Sequence, residues 1–281
     1  MNYRDVLLGL TTYPEASSSG AVKWAVSLAE LLDCRLTAFA ADIKVEVPGR
    51  LLGNLLIDIS ALAAAEMNKS RMNASELLAA FTHEAEKRGV PHVEIHEQCL
   101  VSAVPDLMAD YARMKDLTIM PVPVIDFVDQ WYAETVVFQS GRPVLIVSDQ
   151  SPPAQAKLDT VAVAWDFSRT AARAVADALP LLERAKLVRI LCVLNEKSFG
   201  SSRGSSELAA HLAHHGVNVV VDEVDAGGRT IGAVMERFTA DHQVDLLVMG
   251  AYGHSRFREF ILGGATKSVM ARPPVPTFLS H

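Results

Sequence analysis

The sequence has few of the residues that build disulfide scaffolds or nucleic-acid surfaces. Its 281 residues include three cysteines, Cys34, Cys99 and Cys192, which lie far apart and form no CxxC pair. This argues against a disulfide framework and a cysteine-based zinc site, so we interpret the three as small buried hydrophobic residues in a reducing compartment. The net charge of −7 leaves no basic excess, and we therefore expect no general nucleic-acid binding.

A long apolar run is also lacking. No stretch reaches the roughly 18 apolar residues that a membrane-spanning helix requires. The first twenty residues do not follow the basic, apolar, small-residue order of a signal peptide. Half of all residues are nevertheless apolar, which is ample for a core. We expect a cytoplasmic protein of one or two domains without membrane contact.

Strand and helix patterns alternate along the chain, and the same order occurs twice. Continuous apolar runs such as 5–11 and 160–166 are typical of strands buried on both faces, and each is followed by a segment with helical periodicity. Both halves close alike, with SGRPVLIVS at 140–148 and ARPPVPTFLS at 271–280. A repeat of about 140 residues indicates a duplicated domain.

Alternating strands and helices predict the fold class α/β. We expect two tandem doubly wound, Rossmann-like domains, each with a five-stranded parallel sheet and helices on both faces. The polar segment 148–159 contains two prolines and predicts a linker. We therefore place the first domain at 1–149 and the second at 157–281. Pro276, within the last predicted strand, indicates a sheet edge, since proline cannot donate to the ladder.

The first half carries a long apolar insertion at residues 44–71. Its leucines are expected to cover the sheet or a partner subunit rather than a membrane. Helical periodicity begins after it, at residues 74–89, where Gly89 predicts the end of a helix.

Glycines cluster directly after the fourth apolar run of the second half. In MGAYGHSRFREFILGGAT, residues 249–266, two arginines lie between Gly253 and Gly263. Glycine permits close backbone approach, and the helix expected to begin at Gly263 has free N–H groups that attract anions. The stretch therefore predicts a phosphate site, with a simple turn and helix cap as the alternative. It is neither a Walker A motif nor GxGxxG.

This stretch resembles the nucleotide loop of the universal stress protein family, in which Gly, two residues, Gly, nine residues and Gly precede Ser or Thr. AWDFSRTAARAVADAL, residues 164–179, is similar to the family's first strand end, where an Asp precedes a helix. The duplication is similar to tandem members. The resemblance implies an adenine nucleotide alpha hydrolase-like fold, an internal pseudo-dimer in which the two fifth strands meet, and a homodimer. The implied ligand is ATP or another adenine nucleotide, with Mg²⁺ on its phosphates.

The resemblance also implies the residues that contact the nucleotide. The nucleoside end falls on Ala164, Asp166 and Val193. Asp166 would accept hydrogen bonds from sugar hydroxyls or the adenine amine, or else cap the next helix; Val193 would pack on the base, or else be plain core. The phosphate end falls on the glycine-rich segment, with Met249, Gly250, Ala251, Tyr252, Gly253, Gly263, Gly264, Ala265 and Thr266.

Two departures from the family pattern matter. Gly264 stands where the family has Ser or Thr, which removes a hydroxyl worth about 0.5–1.5 kcal/mol, or up to about tenfold in affinity; Thr266 offers a substitute. In the first half, the matching stretch MPVPVIDFVDQWYAE has no glycine, Pro121 and Pro123 lack N–H donors, and no Asp follows the first strand. We therefore expect a degenerate first domain that binds no nucleotide.

No combination of nucleophile and base stands out, so we assign no catalytic residue and expect at most slow ATP hydrolysis. His211 and His215, four apart, could share a helix face as metal ligands do, but we favour a plain surface face and expect no metal site. The sequence thus predicts a nucleotide-binding regulatory protein of the stress response whose protein partners it does not identify. The alternatives are a nucleotide-free interaction or scaffold protein, and a slow ATPase.

Overall fold

A computed structural model describes residues 2–46, 59–123, 127–194, 204–251 and 264–281. Strands and α-helices alternate in two halves. The first half comprises β1 (Asp5–Leu10), α1 (Ser19–Leu32), β2 (Arg35–Lys44), α2 (Ile59–Arg88), β3 (His92–Leu100), α3 (Val104–Arg113), β4 (Leu117–Val122), α4 (Phe127–Gln139) and β5 (Val144–Ser148). The second half comprises β6 (Thr160–Ala164), α5 (Arg169–Leu182), β7 (Leu187–Leu194), α6 (Gly204–His214), β8 (Val219–Asp225), α7 (Ile231–Asp241), β9 (Leu246–Gly250), α8 (Gly264–Ala271) and β10 (Thr277–Ser280).

The strands form one ten-stranded sheet in the order β3-β2-β1-β4-β5-β10-β9-β6-β7-β8. Neighbouring strands are parallel within each half, and the two halves join where β5 and β10 pair antiparallel, with Val144 opposite Leu279. The predicted α/β fold is therefore confirmed, and the fifth strands of the two halves meet. The domain boundaries at 1–149 and 157–281 stay a prediction.

Helices cover both faces of the sheet. Helices α1, α2, α5 and α6 bury one apolar cluster, and α3, α4, α7 and α8 bury the other. The side chains of a strand alternate between these clusters, so that Leu7 points to one and Leu8 to the other. This two-sided burial explains why the strands read as continuous apolar runs rather than as alternating patterns.

The edge position expected from Pro276 is wrong. Strand β10 lies at the centre of the sheet, between β5 and β9. The strand begins at Thr277, directly after the proline, and the Pro276 carbonyl accepts a hydrogen bond from the Leu247 N–H at 3.0 Å. The missing N–H of Pro276 therefore falls outside the ladder, and only its acceptor is used.

The expected start of the second helix is also wrong, because α2 begins at Ile59 and runs for 30 residues. Its added N-terminal turns bury only small side chains, such as Ala63 and Ser70. A helix that buries alanine and serine lacks the large apolar stripe by which amphipathic helices are recognised. Leu62 is exposed, so it does not cover the sheet; the insertion residues 47–58 lie outside the described residues.

Candidate functional site

The second half has a topological switch point between β6 and β9, where neighbouring strands lead to helices on opposite faces of the sheet. These strands are neighbours, but α5 leaves β6 toward one face of the sheet and α8 follows β9 on the other. In open α/β sheets this divergence opens a crevice at the carboxyl ends of the strands. The predicted residues Ala164, Val193 and Met249 lie at the ends of the adjacent strands β6, β7 and β9. Val193 and Met249 are buried in the apolar cluster of the α7–α8 face.

Asp166 lies in the connection from β6 to α5. Its Oδ1 accepts a hydrogen bond from the Ser168 N–H at 2.9 Å, which closes a tight turn. The N-cap of α5 is Ser168, whose Oγ accepts from the Ala171 N–H at 3.1 Å. The capping role considered for Asp166 therefore belongs to Ser168, while Asp166 holds the turn that leads to the cap at the rim of the crevice.

Two aromatic residues flank Asp166, and sequence reasoning did not single out either. The rings of Trp165 and Phe167 lie 5.5 Å apart, and Phe167 is 53% exposed. Phe167 has a φ of 63°, a left-handed conformation that costs on the order of 1–3 kcal/mol for a non-glycine residue. Its ring packs directly on Gly204, where a Cβ would collide with it. A strained, exposed aromatic beside the predicted acid makes Phe167 a further candidate for ligand contact.

Packing alone explains why residue 250 is a glycine. A Cβ at this position would lie 2.5 Å from the Ala171 backbone nitrogen and from the Thr170 carbonyl carbon. These atoms belong to the first turn of α5, so the end of β9 and the start of α5 are in direct backbone contact. The glycine therefore has a structural role that requires no ligand.

The remaining glycine-rich residues divide into two groups. Tyr252, Gly253 and Gly263 lie outside the described residues. Gly264 begins α8 and is exposed, and an added Cβ there would meet no atom of the described residues within 4 Å. Ala265 is half-buried, whereas Thr266 is only 4% exposed, so that the substitute hydroxyl considered for the phosphates is enclosed within the packing of α8.

A cleft of about 680 Å³ opens beside the first turn of α8. Its walls are the connection from β8 to α7 and the first turns of α7 and α8, including Gly264, Ala265 and Ser268. Two helix N-termini thus border one cleft, which favours an anion. Asp166 and Val193 do not line it within the described part of the chain. The cleft therefore adjoins the phosphate end of the predicted site, not its nucleoside end.

At the matching rim of the first half, helix α2 engages the residue that follows β1. Thr12, just after β1, donates through Oγ1 to the Ala41 carbonyl at 2.6 Å and bonds the Ser70 hydroxyl at 2.8 Å. The Asn73 amide donates to the Thr12 carbonyl at 2.9 Å. Side chains of α2 thus satisfy the polar groups at the end of β1, and Ser70 is fully buried.

The other chemistry-bearing groups of the described residues include buried thiols and a pair of histidines. Burial raises the pKa of Cys34 to about 12 and that of Cys192 to about 11, so both thiols stay protonated near neutral pH. The rings of His211, on α6, and His215, just after this helix, meet edge to face with centroids 4.9 Å apart. Across the described ranges, no three His, Cys, Asp or Glu residues are placed to hold a metal ion. None of the described helices is long and apolar enough to cross a membrane.

Known proteins resemble this chain over its second half in sequence and over its whole length in fold. The model of the universal stress protein family matches residues 157–281. Universal stress protein Slr1230 from Synechocystis sp. (strain ATCC 27184 / PCC 6803 / Kazusa) is 42% identical over 40 residues, which are 14% of this chain and 14% of that protein.

Two solved structures cover nearly the whole chain. A universal stress protein from Archaeoglobus fulgidus DSM 4304 superposes with a TM-score of 0.72 at 18% identity, over 98% of this chain and 95% of that one. The protein PA1789 from Pseudomonas aeruginosa PAO1, described as functionally unknown, gives 0.59 at 12% identity, over 99% and 92%. At such identities the likeness shows the fold alone. The sequence match to the universal stress protein family thus covers residues 157–281, the second half of the chain.

Proposed function

We propose that the second half binds an adenine nucleotide, ATP, and that the protein is a nucleotide-responsive regulator in the stress response. The observation that carries this proposal is the switch point between β6 and β9. Asp166 follows one of these strands, and the family's glycine spacing begins at the end of the other, at Gly250. Open α/β sheets bind ligands at this location, and the family match covers the same half.

In this proposal the nucleoside lies over the ends of β6 and β7. The Asp166 carboxylate accepts hydrogen bonds from sugar hydroxyls or the adenine amine, while Ala164 and Val193 supply apolar surface for the base. The phosphates lie against the start of α8, where the Gly264 N–H and the helix dipole favour negative charge. Any Mg²⁺ enters with the nucleotide, since phosphate oxygens and water supply most of its ligands.

The first half binds no nucleotide in this proposal. Support comes from the contacts of Ser70 and Asn73, which already engage Thr12 at the end of β1. The antiparallel pairing of β5 with β10, which we call the antiparallel seam, uses the fifth strands of both halves within one chain. A homodimer of this protein therefore requires another surface. We propose a cytoplasmic location and protein partners that respond to nucleotide occupancy.

Two alternatives rest on particular observations. A nucleotide-free interaction protein is favoured by Gly264, which lacks the family's hydroxyl, and by the closed rim of the first half. A slow ATPase requires a base, and Asp166 is an acid that the fold brings to the rim, although it already serves the turn at Ser168.

The first experiment identifies small molecules released by denaturing freshly purified protein, by mass spectrometry, and then titrates the emptied protein with ATP by calorimetry. Gly264→Ser restores the family's hydroxyl at a position with room for it. It should strengthen ATP binding by about two- to tenfold, the value of one neutral hydrogen bond. Gly264→Ala is the matched control, because it adds the Cβ without the hydroxyl. No binding at millimolar ATP in either the wild type or Gly264→Ser would favour the interaction protein.

A further inference from the structure

Ser280 and His281, the last two residues of the sequence, form hydrogen bonds with Ala251 at the end of β9. The Ala251 N–H donates to the Ser280 carbonyl at 2.8 Å, and the Ala251 carbonyl lies 3.1 Å from Nδ1 of His281. Because a carbonyl oxygen only accepts, Nδ1 of His281 carries the proton in this contact. Ala251 is fully buried and directly follows β9. Both of its backbone polar groups therefore depend on Ser280 and His281.

Each of these two residues is in turn linked to the first half. Phe138 of α4 meets the His281 ring edge to face, with centroids 5.1 Å apart. The Ser280 hydroxyl donates to the Asp177 carboxylate at 2.6 Å, and the Tyr3 hydroxyl donates to the Asp177 carbonyl. Burial, with the nearby charge of Asp177, raises the pKa of Tyr3, so its hydroxyl keeps the proton that this contact requires.

The antiparallel seam explains why a first-half helix reaches this location. Because β5 and β10 run in opposite directions, the start of β5 lies beside the end of β10. Helix α4 ends shortly before β5, so its last turns lie at the carboxyl rim of the second half. The rim at which the second half begins its glycine-rich segment thus borders a helix of the first half.

We propose that the first half positions this rim, with Phe138 and His281 as positioning residues that fix Ala251 where the glycine-rich segment begins. Phe138 restrains the imidazole, and the imidazole restrains the Ala251 carbonyl. Holding Ala251 in place at the end of β9 reduces the conformational freedom that ligand binding at this rim must remove. The effect on ligand affinity rests on the proposed ATP binding, whereas the effect on Ala251 does not.

The test measures two quantities in the full chain: hydrogen exchange of the Ala251 amide by NMR without nucleotide, and ATP affinity by calorimetry. His281→Ala and Phe138→Ala should each accelerate exchange and weaken ATP binding by about two- to tenfold, the range expected for one hydrogen bond. Phe138→Tyr keeps the aromatic ring and should restore both values.

Two control variants remove similar groups elsewhere. Trp131→Ala removes another exposed aromatic of α4, and His242→Ala removes a histidine that stacks on Phe238 at 4.4 Å. Both should leave Ala251 exchange unchanged. Wild-type exchange in His281→Ala and Phe138→Ala would overturn the inference, as would weaker ATP binding with unchanged exchange. If the wild type binds no ATP, the proposed function fails, and the exchange result still decides the positioning role.

Discussion

The two halves agree at one rim of the sheet and differ at the other. At the amino ends of their strands, Asp116 accepts hydrogen bonds from the Arg4 and Asp5 N–H groups at 2.8 and 3.0 Å. In the second half, Asp245 accepts from the N–H groups of Asp159 and Thr160 at the same two distances. The same device thus anchors the first strand of each half to the connection before its fourth strand.

The start of the first helix is also built alike in both halves. Ser18 caps α1 by accepting from the Ala21 N–H at 3.1 Å, and Ser168 caps α5 by accepting from the Ala171 N–H at 3.1 Å. Between strand and cap, however, the first half has Thr12 bonded to α2, and the second has Asp166 in a turn. The strand anchors and the helix caps are thus shared, whereas the side-chain contacts between the first strand and the cap, at the carboxyl rim where such folds bind ligands, are not.

This comparison assigns a separate role to each half. A duplicated domain that retains its scaffold but closes its rim still contributes a sheet edge, and here β5 supplies the partner strand for β10. Through the same seam, Phe138 reaches His281 at the rim of the second half. In the proposed function, the first half is therefore a structural partner of the second half rather than a second nucleotide site.

The largest expected effect comes from replacing Gly250, at the end of β9, with a residue that has a side chain. Gly250 follows Met249 in β9, where the first half has Pro121 after Met120 in β4. Gly250→Val places its Cβ against the α5 backbone, so we expect a loss of about 3 kcal/mol in the free energy of unfolding, the upper range for overpacking. Urea unfolding measures it. Gly264→Ala, in open space, should change the stability by less than about 1 kcal/mol. Equal stability of the two variants would contradict the backbone contact.

A second variant opens the closed rim of the first half. Ser70→Ala removes the acceptor of the Ile43 N–H and the partner of the Thr12 hydroxyl, both buried. The free energy of unfolding should fall by about 2 kcal/mol, because an unsatisfied buried group costs about 1–3 kcal/mol. Ser75→Ala, exposed on the same helix, is the control. Calorimetry of Ser70→Ala should detect no added nucleotide site. A second ATP bound per chain would contradict a degenerate first half, because it would mean that α2 covers a working site there.

The fold could be predicted from the sequence wherever the pattern that encodes it is local. The α/β order followed from continuous apolar runs such as that of β1, since two-sided burial leaves a direct mark on composition. The early start of α2 was not readable, because the N-terminal turns bury small side chains such as Ala63 and Ser70. The central position of β10 was masked by Pro276, whose effect depends on a one-residue difference in where the strand begins.

The candidate site was predictable in outline and not in detail. The glycine spacing and Asp166 fall at the ends of two neighbouring strands, because parallel strands end at one rim. The left-handed backbone of Phe167 and its packing on Gly204 depend on contacts between distant segments. The link from Phe138 to His281 likewise requires the antiparallel seam, which neither segment encodes alone.

The smallest expected effect concerns the charge cluster around Asp5 in the first half. Asp5 in β1 contacts Arg35 at 2.7 Å and Lys115 at 2.9 Å, where the second half has Thr160 at the start of β6. Burial disfavours the charged carboxylate, but hydrogen bonds from Arg35 and Lys115 outweigh it and lower the pKa of Asp5.

A lowered pKa in the folded state means that the stabilisation is present at neutral pH and is lost as the pH falls through that pKa. Asp5→Asn should therefore cost less than about 1 kcal/mol at pH 7, because the cluster is partly solvated, and nothing once the pH is below the lowered pKa. Urea unfolding of both proteins across this range measures the difference. Asp110→Asn, which breaks an exposed pair with Arg113 on α3, should show a smaller dependence. A difference between wild type and Asp5→Asn that does not shrink on acidification would show that the carboxylate stabilises the first half through packing, not charge.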